Sequence, residues 1–228
     1  MNRLVLFDID GTLVSGKCGH KDAFIHALNE VYGVDVELQW ERYRGFTDQM
    51  IMEDALAEHD MDRHEINAKL KECIASMDKS FRKSLPKNPI HLLPGAIEGL
   101  DALKGKAMLG LVTGNMEPIA KAKMESVGLW DRFSVGGFGS DDIDRANLVR
   151  IAMKRAEKLG FHPETKDGKI MNAFLVGDTA YDVKAGKSAG VMTIAVLTGG
   201  IPADALKAAG CDYLLTDLTG TKLMEIVL

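Results

Sequence analysis

Leu4-Val5-Leu6-Phe7-Asp8-Ile9-Asp10-Gly11-Thr12 begins with four consecutive apolar residues and then turns polar within a single step. An unbroken apolar run suits a strand covered on both faces, as in a parallel sheet, better than a strand with one wet face. The two aspartates and Gly11 predict that the chain leaves the sheet at its carboxyl end. Ligands of open α/β sheets bind beyond those ends. The polar residues that follow each apolar run are therefore the first places to look for chemistry.

Working outward, residues 20 to 85 carry a different rhythm. Phe24, Ala27, Leu28 and Val31 fall at helical spacing, as do Ile51, Ala55 and Leu56. Ile66, Leu70, Cys73, Ile74, Met77 and Phe81 form a third and longer stripe. Gly33 and Gly45 separate these stripes, and Pro86, Pro89, Pro94 and Gly95 close the region, since a residue before proline disfavours helix. Beyond them apolar runs and helical patterns alternate. The runs are Ala107–Val112, Ala173–Val176, Val191–Leu197 and Tyr213–Leu215, and the helices lie near 95–104, 117–127, 144–159, 181–189 and 202–209, with one more at the end. This alternation predicts a doubly wound α/β fold with a parallel sheet. The expected division is a core of residues 1–15 and 88–228, with a helical insert over 16–87. Gly136-Gly137-Phe138-Gly139 lacks a dinucleotide-binding frame and reads as a loop at the end of the sheet; His162–Lys169 reads as a surface turn.

Composition narrows the function classes. With 228 residues, the chain suits one domain carrying an insertion, or two small ones. Its 28 basic against 33 acidic residues give a net charge of −5, which argues against a nucleic-acid binder with a basic face. No apolar run approaches the ~18 residues of a membrane span, and the first is too short for a secretory signal core of ~7–15. Cys18, Cys73 and Cys211 are odd in number and far apart, so they make neither a disulfide framework nor a metal knuckle. A cytoplasmic protein, monomeric or homodimeric, is expected.

Three strand ends carry the chemistry. Asp8-Ile9-Asp10-Gly11-Thr12 follows the first run, Thr113-Gly114-Asn115 the second, and Gly177-Asp178-Thr179-Ala180-Tyr181-Asp182 the third. Singly, each has an ordinary reading: a turn, a helix N-cap, a loop. Together they would place Asp8, Asp10 and Asp178 in one crevice, where carboxylates repel unless a hard cation sits among them. Mg²⁺ accepts a few carboxylates and a substrate phosphate. Thr113 and Gly114, at the expected start of a helix, offer a hydroxyl and backbone N–H groups to an anion. A carboxylate nucleophile, magnesium and a phosphate cradle describe phosphoryl transfer through an aspartyl-phosphate.

These three segments resemble motifs one, two and four of the haloacid dehalogenase-like hydrolases, over essentially the whole chain. The phosphoglycolate phosphatase and β-phosphoglucomutase branch is the most similar, and the helical insert resembles its C1 cap. The resemblance implies Asp8 as nucleophile and Asp10 as the acid that protonates the leaving oxygen and then activates water. It implies a magnesium ion on the carboxylates of Asp8 and Asp178 and the carbonyl of Asp10, with Asp182 orienting its waters. Thr113, Gly114 and Asn115 would hold the phosphate. The substrate would be a small phosphorylated metabolite such as phosphoglycolate, with a phosphomutase as the alternative and a non-catalytic binding protein as a more distant one.

One motif departs from the pattern. The family's third motif is usually a lysine ahead of a helix, whereas Gly139-Ser140-Asp141-Asp142-Ile143-Asp144-Arg145 enters with an arginine. Arg145 is the expected neutralising cation, since guanidinium matches phosphate geometry; Lys121, Lys123 and Lys154 are the alternatives. Arg42, Arg44, Thr47 and Asp48 beside Gly45 suit either a substrate-reading loop or a solvated turn and N-cap. His20 lies near the first crossing from core to insert, and the remaining histidines have no zinc-like spacing.

Overall fold

The computed structural model describes residues 2–16 and 19–228. In chain order the strands are β1 (Leu4–Phe7), β2 (Val14–Ser15), β3 (His91–Leu92), β4 (Met108–Thr113), β5 (Val135–Phe138), β6 (Thr165–Lys166), β7 (Lys169–Gly177), β8 (Val191–Val196) and β9 (Tyr213–Leu215). The helices are α1 (His20–Tyr32), α2 (Asp48–Ala57), α3 (Arg63–Ser84), α4 (Ala96–Leu103), α5 (Glu117–Ser126), α6 (Arg145–Glu157), α7 (Ala180–Ala189), α8 (Ala203–Ala208) and α9 (Lys222–Val227). The main sheet runs β5-β4-β1-β7-β8-β9 with every neighbouring pair parallel, and β6 adds an antiparallel hairpin to β7. This is the doubly wound α/β fold read from the sequence.

β1 explains the unbroken apolar run. Val5 and Phe7 pack into the layer that holds Leu100, Ala120 and Met124, while Leu4 and Leu6 pack into the opposite layer with Leu148, Val149 and Ala152. Alternate residues thus serve two cores, and no position faces water. The order of strands reverses at β1: the chain fills β4 and β5 on one side, then crosses to β7, β8 and β9 on the other. A crevice opens at such a switch point.

Helices α1–α3 build their own apolar cluster, in which Phe24, Leu28, Leu56, Met77 and Phe81 are buried. Met116, Ile119 and Ala122, at the start of α5 and along it, join that cluster, so the insert rests on the helix that follows β4. The short ribbon of β2 with β3 brings Ser15 opposite His91, where the chain leaves the core and returns. Asp62 and Glu65 form a reciprocal capping box that starts α3.

One sequence expectation needs correction. Residues 136–138 are not a loop but most of the edge strand β5, paired with β4. Glycine weakens strand propensity, which hides such a strand. Here a Cβ on Gly137 would lie 2.1 Å from the carbonyl oxygen of Leu148, so the glycine lets α6 pack directly on the sheet. His162–Lys169 is an exposed turn, as its sequence reads: β6 turns back through Asp167 and Gly168, both at positive φ, to pair with β7. Cys73 and Cys211 are free thiols, and Cys18 lies outside the described residues.

Candidate active site

Asp8 leaves β1 at the switch point, and its N–H still extends the ladder by donating to the carbonyl of Val176 at 2.9 Å. Thr113 ends β4 on one side and Asp178 follows β7 on the other. Asp8, Thr113 and Asp178 are all buried. Close approach is what the flanking glycines permit. A Cβ on Gly11 would fall 2.5 Å from an oxygen of Asp178, and one on Gly199 only 1.6 Å from it. Both glycines leave room for the Asp178 carboxylate.

Carboxylate oxygens of Asp8, Asp178 and Asp182 lie within 4.8 Å of one another. Burial raises the pKa of Asp8 well above the ordinary carboxylate range; Arg145 opposes this, while Asp182 and Asp178 add to it. Burial likewise lifts Asp178 to about 7, with Asp182 adding and Arg145 and Arg44 opposing. Buried carboxylates that repel in this way are stabilised by a cation. An all-oxygen donor set in a glycine-walled cradle fits a hard divalent ion such as Mg²⁺.

Arg145 supplies the protein's own positive charge there. It starts α6 after the Asp144 N-cap, and its side chain is only 9% exposed. Its Nη2 donates to Asp8 at 2.8 Å and to Asp182 at 2.6 Å, and its Nε donates to Asp182 at 2.9 Å. Burial alone would lower its pKa, but Asp182 and Asp8 outweigh that and raise it, so the guanidinium stays charged. Asp182 is itself fixed by Thr179, whose N–H and hydroxyl donate to its other oxygen at 3.0 and 2.6 Å.

Asp10 faces different partners. Lys123 donates to both of its oxygens, and Asn115 Nδ2 donates to one of them at 2.7 Å. Although Asp10 is set deep among protein atoms, its side chain is 49% exposed to the cleft. Burial would raise its pKa, yet the charge and hydrogen bonds of Lys123, with those of Asn115, hold it below the ordinary value. Asn115 also donates to Thr113 Oγ1 at 2.7 Å, so its side chain ties the second strand end to the first. The Asn115 side chain is thus committed to Asp10, Thr113 and Lys123.

The insert closes the cleft from above. The N–H of Asp48 donates to the carbonyl of Gly114 at 2.8 Å, and its carboxylate accepts from the N–H of Met116 at 2.8 Å. Thr47 caps α2 through the N–H of Met50 and donates to the carbonyl of Ile143 at 3.1 Å. Arg44 donates to the carbonyl of Gly199 across the rim. His20 Nε2 lies 3.3 Å from Asp48 but makes no hydrogen bond among the described residues; its ring stands edge-on to Trp40. The cleft between insert and core measures about 520 Å³.

The structure therefore brings Asp8, Asp10, Thr113, Gly114, Asn115, Arg145 and Asp178 to one cavity, with Asp182 behind Arg145. Arg145 stands on the nucleophile candidate, whereas Lys121 pairs with Glu125 elsewhere on α5. Sequence reasoning weighed Lys123 only as a substitute for Arg145 and missed it as the partner of Asp10. The signal was present: Lys123 falls three and four residues after Ala120 and Ile119, on the buried stripe of α5.

The family model described as haloacid dehalogenase-like hydrolase matches residues 5–196. The chain belongs to this family. A relative named probable phosphatase IndB, from Dickeya dadantii, is 32% identical over 220 residues, covering 92% of this chain and 87% of its own. The phosphoglycolate phosphatase of Aquifex aeolicus is 28% identical over 209 residues, covering 86% and 85%. The crystal structure of a hydrolase from Pseudomonas syringae shares the fold with a TM-score of 0.68 at 19% identity, covering 100% of both chains. The match to the haloacid dehalogenase-like hydrolases runs from β1 through α1–α3 to the end of β8.

Proposed function

We propose that this hydrolase is a magnesium-dependent phosphatase of small phosphorylated metabolites, working through an aspartyl-phosphate on Asp8. The observation that carries the reading is Asp8 at the switch point, one oxygen held 2.8 Å from Arg145 and Asp178 close by, on the floor of the cleft. Hydrolase family membership and relatives named as phosphatases support it.

Asp8 attacks phosphorus, and the ester bond to the leaving alcohol breaks. Asp10 in its protonated form gives its proton to the leaving oxygen, and the carboxylate this leaves, the form that Lys123 favours, takes one from the water that hydrolyses the aspartyl-phosphate. Arg145 offsets charge on the phosphoryl oxygens, and Thr113 with the backbone at Gly114 and Asn115 positions them. Asp8, Asp178 and the carbonyl of Asp10 would hold Mg²⁺, which when bound neutralises charge on the transferring phosphoryl group. Residues 16–87 serve as the cap that covers this chemistry, and the protein acts in the cytoplasm. Phosphoglycolate is the reference substrate.

Phosphate release from a phosphomonoester panel tests the reading. Turnover is expected to require Mg²⁺ and to vanish in Asp8→Asn; full turnover in that variant would remove Asp8 as nucleophile. Dependence on a bisphosphate primer would instead indicate a phosphomutase.

A further inference from the structure

The cavity is roomy although the cap is seated. Segment 46–48 is stitched to the core by the Asp48 bonds to Gly114 and Met116 and by the Thr47 bond to Ile143. Gly114 confirms how tightly: a Cβ there would stand 2.4 Å from the carbonyl oxygen of Phe46. The 520 Å³ is therefore the space left with the cap seated on the core, not a gap between parted domains. Phosphoglycolate has only about nine non-hydrogen atoms. Granting each the ~30 Å³ of a liquid water, more than bonded atoms need, such a molecule fills about half of that space. Cavities in this size class hold ligands of larger, drug-like dimensions.

The lining says what fills the rest. Trp40, Tyr43 and Phe46 face the cavity from the cap side, with Arg44 and Glu41 at their edge, and Val14 faces it from the core. Trp40 is braced edge-on by His20 and Phe24, at ring separations of 5.3 and 5.9 Å. Phe46 is braced by Tyr43 and Tyr181, at 5.7 and 5.6 Å. Rings fixed by other rings keep their positions without a ligand, which reduces the ordering cost of stacking something against them. A two-carbon acid would leave this wall bare, whereas a flat ring would cover it.

We propose that the preferred substrates are phosphomonoesters whose alcohol carries an aromatic ring, docked against Trp40, Tyr43 and Phe46 while the phosphoryl group lies on Asp8. This rests on the phosphatase reading above and names its substrate class. Arg44 and Glu41 would then meet polar substituents on the ring.

Benzyl phosphate and ethyl phosphate isolate the effect, because their leaving alcohols have similar acidity. With the wild-type protein, kcat/KM for benzyl phosphate is expected to exceed that for ethyl phosphate and for phosphoglycolate by about tenfold or more, within the span of aromatic stacking. Trp40→Leu is expected to shrink the benzyl-to-ethyl ratio at least about fivefold, by losing part of that stacking. The ratio is internal to each preparation, so partial loss of folded enzyme cancels; Phe46→Leu gives a second reading if Trp40→Leu does not fold. Equal rates for benzyl and ethyl phosphate, or a preference for phosphoglycolate, would overturn the substrate class while leaving the phosphatase intact. Absence of all turnover, with the activated ester acetyl phosphate included, would instead strike the phosphatase reading itself.

Discussion

Lys123 donates to both carboxylate oxygens of Asp10, at 2.9 and 2.7 Å, from a side chain only 1% exposed. The pair joins α5 to the loop after β1, and Asn115 closes the triangle by accepting from Lys123 at 2.9 Å. Two strand ends and one helix are thereby set at fixed distances. The proposed acid–base carboxylate is held by a cation of its own, distinct from the one on Asp8.

Replacing Lys123 with methionine keeps most of the side-chain volume and removes the charge. Breaking a fully buried pair costs about 3–5 kcal/mol, but Asp10 is half exposed and water can solvate it, so a loss of about 1–2 kcal/mol is expected. Turnover should fall by about tenfold or more, since a misoriented acid–base group loses the ~10²–10⁴-fold that positioned proton transfer contributes. Urea midpoints and kcat measured on Lys123→Met check both figures. Unchanged kcat would show that Asp10 needs no such partner.

Arg145 bridges Asp8 and Asp182, so its replacements separate charge from geometry. Arg145→Ala should lower kcat/KM by about 10²–10³, the usual loss for one charged donor aimed at the reacting group. Arg145→Lys restores a charge but lacks the planar fork whose Nε and Nη2 both hold Asp182, and should recover only part of the loss. A lysine variant with wild-type rates would mean that charge alone suffices there.

The strand ends were legible because three chemically unusual segments each follow an apolar run, and a parallel sheet collects such ends. Arg145 was legible from its place at the head of a helix. Lys123 was legible only as a lysine on the buried stripe of α5; its partner was not, because Asp10 lies 113 residues away and only the folded α5 turns the side chain toward it. Thr47 and Asp48 admitted two readings, a solvated N-cap or a substrate loop. Thr47 is a cap, yet both residues are buried against core loops that local sequence does not reveal. The edge strand β5 was hidden by Gly136 and Gly137, whose missing side chains answer to α6 and Phe138 rather than to strand propensity.

Gly199 tests the carboxylate cradle by steric means alone. A Cβ added there would sit 1.6 Å from Asp178 Oδ2, so Gly199→Ala must displace that carboxylate. If Asp178 holds Mg²⁺, the concentration giving half-maximal activity should rise about 10–100-fold, as when the support of a metal ligand is disturbed. A magnesium titration of initial rates reads this directly. An unchanged half-saturation point would take Asp178 out of the metal site.

Cys73 gives a prediction independent of catalysis. It is 1% exposed inside the cap cluster, and burial pushes its thiol up to about 12, with the negative charges of Asp48 and Glu72 adding to the effect. An unfolded chain ionises the same thiol near the ordinary value of 9.0, so between about pH 9 and 12 the native state holds the extra proton. Stability from this group is therefore complete below pH 9 and is lost as pH rises through that window. Because thiolate is the reactive form, iodoacetamide at pH 8.5 should leave Cys73 unmodified in the native protein and label it readily in denaturant. Peptide mass analysis distinguishes the two states. Native labelling of Cys73 at the denatured rate would show that the cap interior opens freely to solvent, against the packing of Met77 and Phe81 around it.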